Sequence, residues 1–155
     1  MTFVFDMDGT IADLYSVENW LAKLRALDAS PYREARPMHD FDKLVEMLRT
    51  LKSYGVNIAI VSWLSKDSDK AYDKAVREAK RAWLVENEFP FDEIHLVKYG
   101  THKQNTLRDS SNAILFDDND KIRASWTAGD AIHPDNMIEY IEQIYNSFIE
   151  NQRKI

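Results

Sequence analysis

The chain has 155 residues, enough for one domain with its own core, and its 45% apolar and 30% charged content is that of a globular protein. It contains no cysteine, which excludes disulfides, thiolate catalysis and thiolate-held metals and fits a reducing cytosol. A net charge of −6 argues against broad electrostatic binding to nucleic acid, while a small anion can still be held by a local cation or metal.

Thr2-Phe3-Val4-Phe5 opens the chain as a short buried strand and runs straight into Asp6-Met7-Asp8-Gly9-Thr10. Bare carboxylates at the end of a buried strand are costly, so a compensating cation is expected beside Asp6 and Asp8. Ser16 to Leu27 has helical spacing, with Val17, Trp20, Leu21, Leu24 and Leu27 on one face. Ala29 to Pro37 reads as a turn-rich connection. Phe41, Leu44, Val45, Leu48 and Leu51 mark a helix closed by Gly55. Asn57 to Ser62 is a second buried strand, ending on a hydroxyl. Asp67 to Glu86 is a long charged helix whose inner stripe is Tyr72, Ala75, Val76, Ala79 and Trp83. Ile94 to Val97 is a third strand, followed by a short helix from about His102. Ala113 to Phe116 is a fourth strand ending on Asp117-Asp118. Asn119 to Ala128 reads as a helix stopped by Gly129, and a last helix starts near Pro134 with Met137, Ile141, Ile144 and Phe148 in step.

Alternating strands and helices, with continuously apolar interior strands, predict an α/β fold: a Rossmann-like, three-layer parallel sheet with helices on both faces. Such sheets bind ligands beyond the carboxyl ends of their strands. Three strand ends carry polar chemistry here: Asp6 with Asp8, Ser62, and Asp117 with Asp118. With no linker, repeat or low-complexity tract, residues 1–155 are expected to form a single domain. The apolar N-terminal run is too short for a signal peptide, and no segment is long and uncharged enough to span a membrane. A cytoplasmic protein with no membrane partner is therefore expected, its oligomeric state left open. The histidines, at 39, 95, 102 and 133, have no ligand spacing.

Several carboxylates around one point, without Cys or clustered His, suit a hard cation with oxygen ligands, and Mg²⁺ is the natural choice. Carboxylates alone would repel a phosphate. Ser62 offers a hydroxyl with neighbouring backbone N–H groups, Trp63 among them, and Lys103 stands at the start of a helix. Mg²⁺, Lys103 and Ser62 together would form a phosphoryl clamp.

These residues resemble the four ordered motifs of the haloacid dehalogenase (HAD) superfamily phosphohydrolases. The motifs are Phe5-Asp6-Met7-Asp8-Gly9-Thr10, then Ile60-Val61-Ser62, then Lys103 with Lys98 as the alternative, then Leu115-Phe116-Asp117-Asp118. The resemblance implies Asp6 as nucleophile, Asp8 as acid and base, and Lys103 as the catalytic lysine. It implies phosphate contacts from Ser62, Trp63, Thr10 and Lys103, with Thr10 fixing the loop after the first strand. The metal would be held by the Asp6 carboxylate, the Asp8 carbonyl and one of Asp117 and Asp118, with Asp118 the nearer. Neighbouring carboxylates would raise the Asp8 pKa and keep it protonated at the start.

Residues 11–38 would then be a short, minimal cap-like insertion. Asp13-Leu14, the Trp20-Leu21 helix and Ala35-Arg36-Pro37 resemble the short cap of 5′-(deoxy)nucleotidases and their phage-type relatives. Asp117-Asp118 with Arg123, Trp126 and Gly129 resembles the 3′-phosphatase module of polynucleotide kinases. The expected partner is a small phosphorylated substrate, a nucleotide before a polynucleotide end or a phosphoprotein because the surface is acidic. A phospho-accepting or non-catalytic binding protein is the alternative of another class.

Overall fold

The computed structural model describes residues 1–155. Its centre is a parallel sheet of five strands in the order β5-β4-β1-β6-β7, built from β1 (Thr2–Phe5), β4 (Asn57–Trp63), β5 (Glu93–Val97), β6 (Ala113–Phe116) and β7 (Ala131–Ile132). β1 lies in the middle with Phe5 opposite Ile60 on one side and Phe116 on the other. Asp6 and Asp117 are the next residues along, so parallel register alone brings their carboxylates to one sheet edge.

Period-2 alternation divides the core between the two faces of the sheet. Phe3, Phe5, Ile58, Ile60, Ile114 and Phe116 face α3 (Phe41–Ser53) and α6 (Met137–Arg153), which contribute Leu44, Leu48, Leu51, Met137 and Ile141. Val4, Ala59, Val61, Ala113 and Leu115 face the other way, against Trp126 and Ile122. Phe5 stacks on Phe116 with ring centroids 4.9 Å apart. The layers are helix, sheet and helix, as the alternating pattern predicts. No helix is long and apolar enough to cross a membrane.

Residues 11–38 leave the sheet edge and return to it. β2 (Ala12–Asp13) pairs antiparallel with β3 (Arg36–Pro37), which clips the two ends of the excursion together. Between them lie a 3₁₀ turn at Leu14–Ser16, α1 (Trp20–Arg25) and α2 (Ser30–Glu34). This corrects two expectations. The helix expected over Ser16 to Leu27 is only six residues long, because Asn19 and Leu27 take left-handed φ values of 57° and 59° at its two ends. The expected turn-rich connection contains α2, opened by Pro31 at a position where the missing N–H costs nothing.

α4 (Lys70–Glu86) starts later than the charge pattern suggests, because the Asp69 side chain accepts from the Tyr72 N–H and caps it. The helix expected over Asn119 to Ala128 is α5 (Asp120–Ser125) alone, and β7 follows it unforeseen. Gly129 is not its terminator. A Cβ there would lie 2.6 Å from the Ala113 carbonyl oxygen, so glycine allows the chain to pass β6 closely.

Candidate active site

The loop after β1 turns sharply. The Met7 carbonyl accepts from the N–H groups of Thr10, Ile11 and Ala12, and the Met7 side chain is buried in the core. Asp6 and Asp8, on either side of it, line a cleft of about 600 Å³ at the carboxyl edge of the sheet. Gly9 has φ 79°, and a Cβ there would fall 2.3 Å from Asp118 Oδ2 and 2.8 Å from the Tyr15 ring. Only glycine lets this loop approach Asp118 so closely.

The buried Lys103 ammonium donates to Asp6 Oδ1 at 2.8 Å and to Asp117 Oδ2 at 2.7 Å. Thr10 donates its hydroxyl to the other Asp6 oxygen at 3.0 Å. Lys103 is thus the inward lysine and Lys98 is exposed. Asp117 is fixed further by the Asn119 N–H on its Oδ1 at 2.9 Å, and Arg123 donates to its carbonyl.

Oxygen atoms of Asp6, Asp117 and Asp118 lie within 4.8 Å of one another, so these three can hold a metal ion. Their donor chemistry is all carboxylate, which fits a hard divalent cation and not one that prefers nitrogen or sulfur. The crowding appears in their protonation. Burial, then the charges of Asp6 and Asp117, push Asp118 up to about 7. Burial and Asp6 push Asp117 up to about 6 against the pull of Lys103. Burial works against the charge of Lys103, but Asp6 and Asp117 outweigh it and hold the ammonium above its ordinary range.

Asp8 is also raised, in the direction the sequence suggests but with a different leading cause. Burial comes first, Asp6 adds to it, and a lysine opposes it. That lysine is Lys80 on α4, which sequence reasoning does not single out. Its side chain has no exposure, and it donates to Asp8 Oδ2 at 2.8 Å, Ser62 Oγ at 2.7 Å and the Trp63 carbonyl at 2.8 Å. The signal was present in the helix pattern. Tyr72, Val76, Lys80 and Leu84 follow at four-residue steps, so a lysine stands where the inner face calls for an apolar residue.

Ser62 is fully buried beneath the cleft floor with its hydroxyl oxygen taken by Lys80, and Thr10 is fully buried against Asp6. Neither lines the cleft, whereas Trp63, Leu64 and Ser65 do. Trp63 donates its indole N–H to the Thr101 carbonyl at 2.8 Å, and its ring lies 4.9 Å from that of Tyr99 and 5.5 Å from the Lys103 ammonium.

The outer wall departs in part from the expected stripe. Trp20, Leu21 and Leu24 lie on α1 and Leu27 follows beyond its end; all four line the cleft, and Leu21 and Leu27 remain 41% and 48% exposed. Tyr15 packs edge-on against Trp20 at 5.0 Å beside them. Among the histidines, His39 bonds the Thr10 carbonyl and His95 bonds Glu93, both structural contacts.

No family model and no curated protein matches the chain. Among solved structures, it is similar in fold to a chain of a Pnkp1/Rnl/Hen1 complex, with a TM-score of 0.57 and 15% sequence identity. The similarity covers 85% of this chain and 45% of that one, so this chain spans less than half the length of its structural neighbour.

Proposed function

We propose that this protein is a phosphomonoesterase of the haloacid dehalogenase type, acting on nucleotides through an aspartyl-phosphate intermediate. The observation that supports it most is the differing support of two carboxylates on one loop. Asp6 is pinned by Thr10 and Lys103 beside two further carboxylates, and Asp8 is pinned separately by Lys80. A nucleophile needs fixed orientation, and an acid–base group needs independent surroundings.

In the first half-reaction an Asp6 oxygen forms a bond to phosphorus as the ester P–O bond breaks. Asp8 gives its proton to the departing oxygen, and the alcohol leaves. In the second, water attacks phosphorus and Asp8 takes its proton. The acyl-phosphate P–O bond breaks, restoring Asp6 and releasing inorganic phosphate. Lys103, bonded to Asp6 and lining the cleft, offsets negative charge on the phosphoryl group. Asp6, Asp117 and Asp118 would hold Mg²⁺, which would draw negative charge from the phosphoryl oxygens.

The aromatic walls support a nucleotide. Tyr15 and Trp20 form one aromatic pair in the cleft lining and Trp63 and Tyr99 another, apolar surface suited to a planar base. A polynucleotide 3′-phosphate is the second substrate class. It is favoured by the fold likeness to a chain of the Pnkp1 complex and by continuation of the cleft past Lys103 to Gly100, His102 and Lys121.

The test is phosphate release from nucleoside monophosphates and 3′-phosphorylated oligonucleotides with Mg²⁺. Release should disappear with EDTA and in Asp6→Asn. Turnover that survives Asp6→Asn would remove Asp6 as nucleophile.

A further inference from the structure

Lys80 makes more contacts than charge neutralisation requires. It has the three N–H bonds of an ammonium, and all three are used: on Asp8, on Ser62 and on the Trp63 carbonyl. The Tyr32 ring, from the 11–38 excursion, lies 4.8 Å away from the same nitrogen. The position is completely enclosed. Burying an ammonium there costs desolvation that a methionine of similar length would avoid. The return on that cost lies in what the nitrogen holds in place.

It holds one oxygen of Asp8. Oδ2 is engaged by Lys80 at 2.8 Å, and no protein group bonds Oδ1, while the carboxyl as a whole lines the cleft. The two oxygens are thereby made unequal. One is tied back into the protein and the other is left for the substrate side. The anchor is itself fixed, because Ser62 and the Trp63 carbonyl belong to β4, the strand beside β1.

We propose that Lys80 is a positioning residue for the acid–base step: by anchoring Asp8 Oδ2 to the end of β4, it directs Oδ1 at the oxygen of the leaving group. This rests on the phosphomonoesterase function proposed above and adds a residue to it. Lys80 itself touches neither phosphate nor leaving group. It acts through Asp8, so its loss should be felt in proportion to how much the reaction needs a well-aimed proton.

Leaving groups differ in that need. An alkoxide leaves poorly unless protonated in the transition state, whereas p-nitrophenolate leaves without a proton. Single-turnover release of the alcohol, with enzyme in excess and Mg²⁺ present, isolates the first half-reaction for each. For Lys80→Met, release of an alkyl alcohol from its phosphomonoester should slow by about 100-fold, the scale of general acid catalysis. Release of p-nitrophenolate should stay within about 5-fold of the parent protein, since no proton is needed there. Lys80→Arg keeps a donor in the same space and should fall between the two on the alkyl substrate. It also carries the test if Lys80→Met does not fold, as judged by circular dichroism.

Equal losses on the two leaving groups, or no loss on the alkyl ester, would overturn the assignment and leave Lys80 as an ordinary buried ion pair. The failure of the underlying function looks different. In that case the parent protein releases neither alcohol. A double variant supplies the second readout. If Lys80 works through Asp8, Lys80→Met should cost almost nothing further in an Asp8→Asn background, and an additive loss would count against the proposal.

Discussion

Replacing Lys103 by methionine tests how the acidic cluster is held together in the absence of metal. One ammonium, 2% exposed, bonds Asp6 at 2.8 Å and Asp117 at 2.7 Å, and their side chains are only 10% and 1% exposed. Removing one member of a buried pair strands the other charge and costs about 3–5 kcal/mol. Here two carboxylates are stranded and a third, Asp118, stands beside them, so the cost at pH 8 should reach that range. Against a total stability of about 5–15 kcal/mol, this is a large share. With a urea slope of about 2 kcal/mol/M the midpoint should fall by roughly 2 M.

Proton uptake then limits the damage. Asp117 and Asp118 already stand at about 6 and about 7 with Lys103 present, and its loss removes the pull that holds Asp117 down and moves that group further up. At pH 5 they are neutral in the variant, and the loss should shrink to about 1 kcal/mol, that of a broken hydrogen bond. Urea denaturation in EDTA at the two pH values measures both losses. Mg²⁺ at 100 times its dissociation constant should return about 2.7 kcal/mol by mass action. A loss below about 1 kcal/mol at pH 8, or equal losses at pH 5 and 8, would refute the account.

Other outcomes follow from the same geometry. Gly9→Ala forces a non-glycine residue to φ 79° and drives its Cβ into Asp118, so it should cost about 1–3 kcal/mol and weaken Mg²⁺ binding measured by calorimetry. Asp117 and Asp118 bind protons more tightly folded than unfolded. Their contribution is therefore complete below about pH 4 and is lost as pH climbs through about 6 and about 7. Metal-free protein should lose stability across that window, less so in Asp118→Asn; stability rising there in the parent alone, relative to that variant, would contradict it. Leu21→Ser should leave the melting temperature nearly unchanged, by less than about 0.5 kcal/mol, because Leu21 is not in the core, while raising KM for a nucleotide. A large drop in stability would show that α1 is core after all.

The parts of this molecule that could be read from sequence are those where one segment carries its own evidence. β1, β4 and β6 are continuous apolar runs, and each ends abruptly on a polar group, so both the strands and the edge where Asp6, Asp117 and Asp118 meet could be inferred. The parts that could not be read depend on what a segment meets. The stripe of Trp20, Leu21, Leu24 and Leu27 has the expected period, but periodicity does not say whether core or open cleft lies against it. Leu27 follows α1 in a left-handed conformation that its residue type does not advertise, while Asn19 before the helix is of a type that tolerates it. β7 is two residues long and has no pattern to detect. The resemblance gives Ser62 and Thr10 to a phosphate, and the partners their hydroxyls have in the fold, Lys80 and Asp6, lie on other segments or across the turn and are not visible in any one segment. Lys80 was hidden by its own type, since a lysine on a charged helix is ordinarily solvated, and only its place in the four-residue register set it apart.

The antiparallel clip between Ala12–Asp13 and Arg36–Pro37 makes residues 14–35 replaceable. Their ends are already joined at the base, and the Met38 N–H on the Ile11 carbonyl at 2.9 Å closes the stem one step further in. Doubling the length of a loop with fixed ends costs only about 0.6 kcal/mol in closure entropy. A longer or differently shaped segment can therefore be grafted between Asp13 and Arg36 while β1 and β6 keep their pairing. Such an exchange reaches inward at Leu14 and Ala35, which are buried against α4 and the core, and at Tyr32, whose ring lies over Lys80. A graft that retains an aromatic residue there should change which leaving groups fit while leaving the anchoring of Asp8 intact, so that selectivity and chemistry can be varied on separate segments of the same short chain.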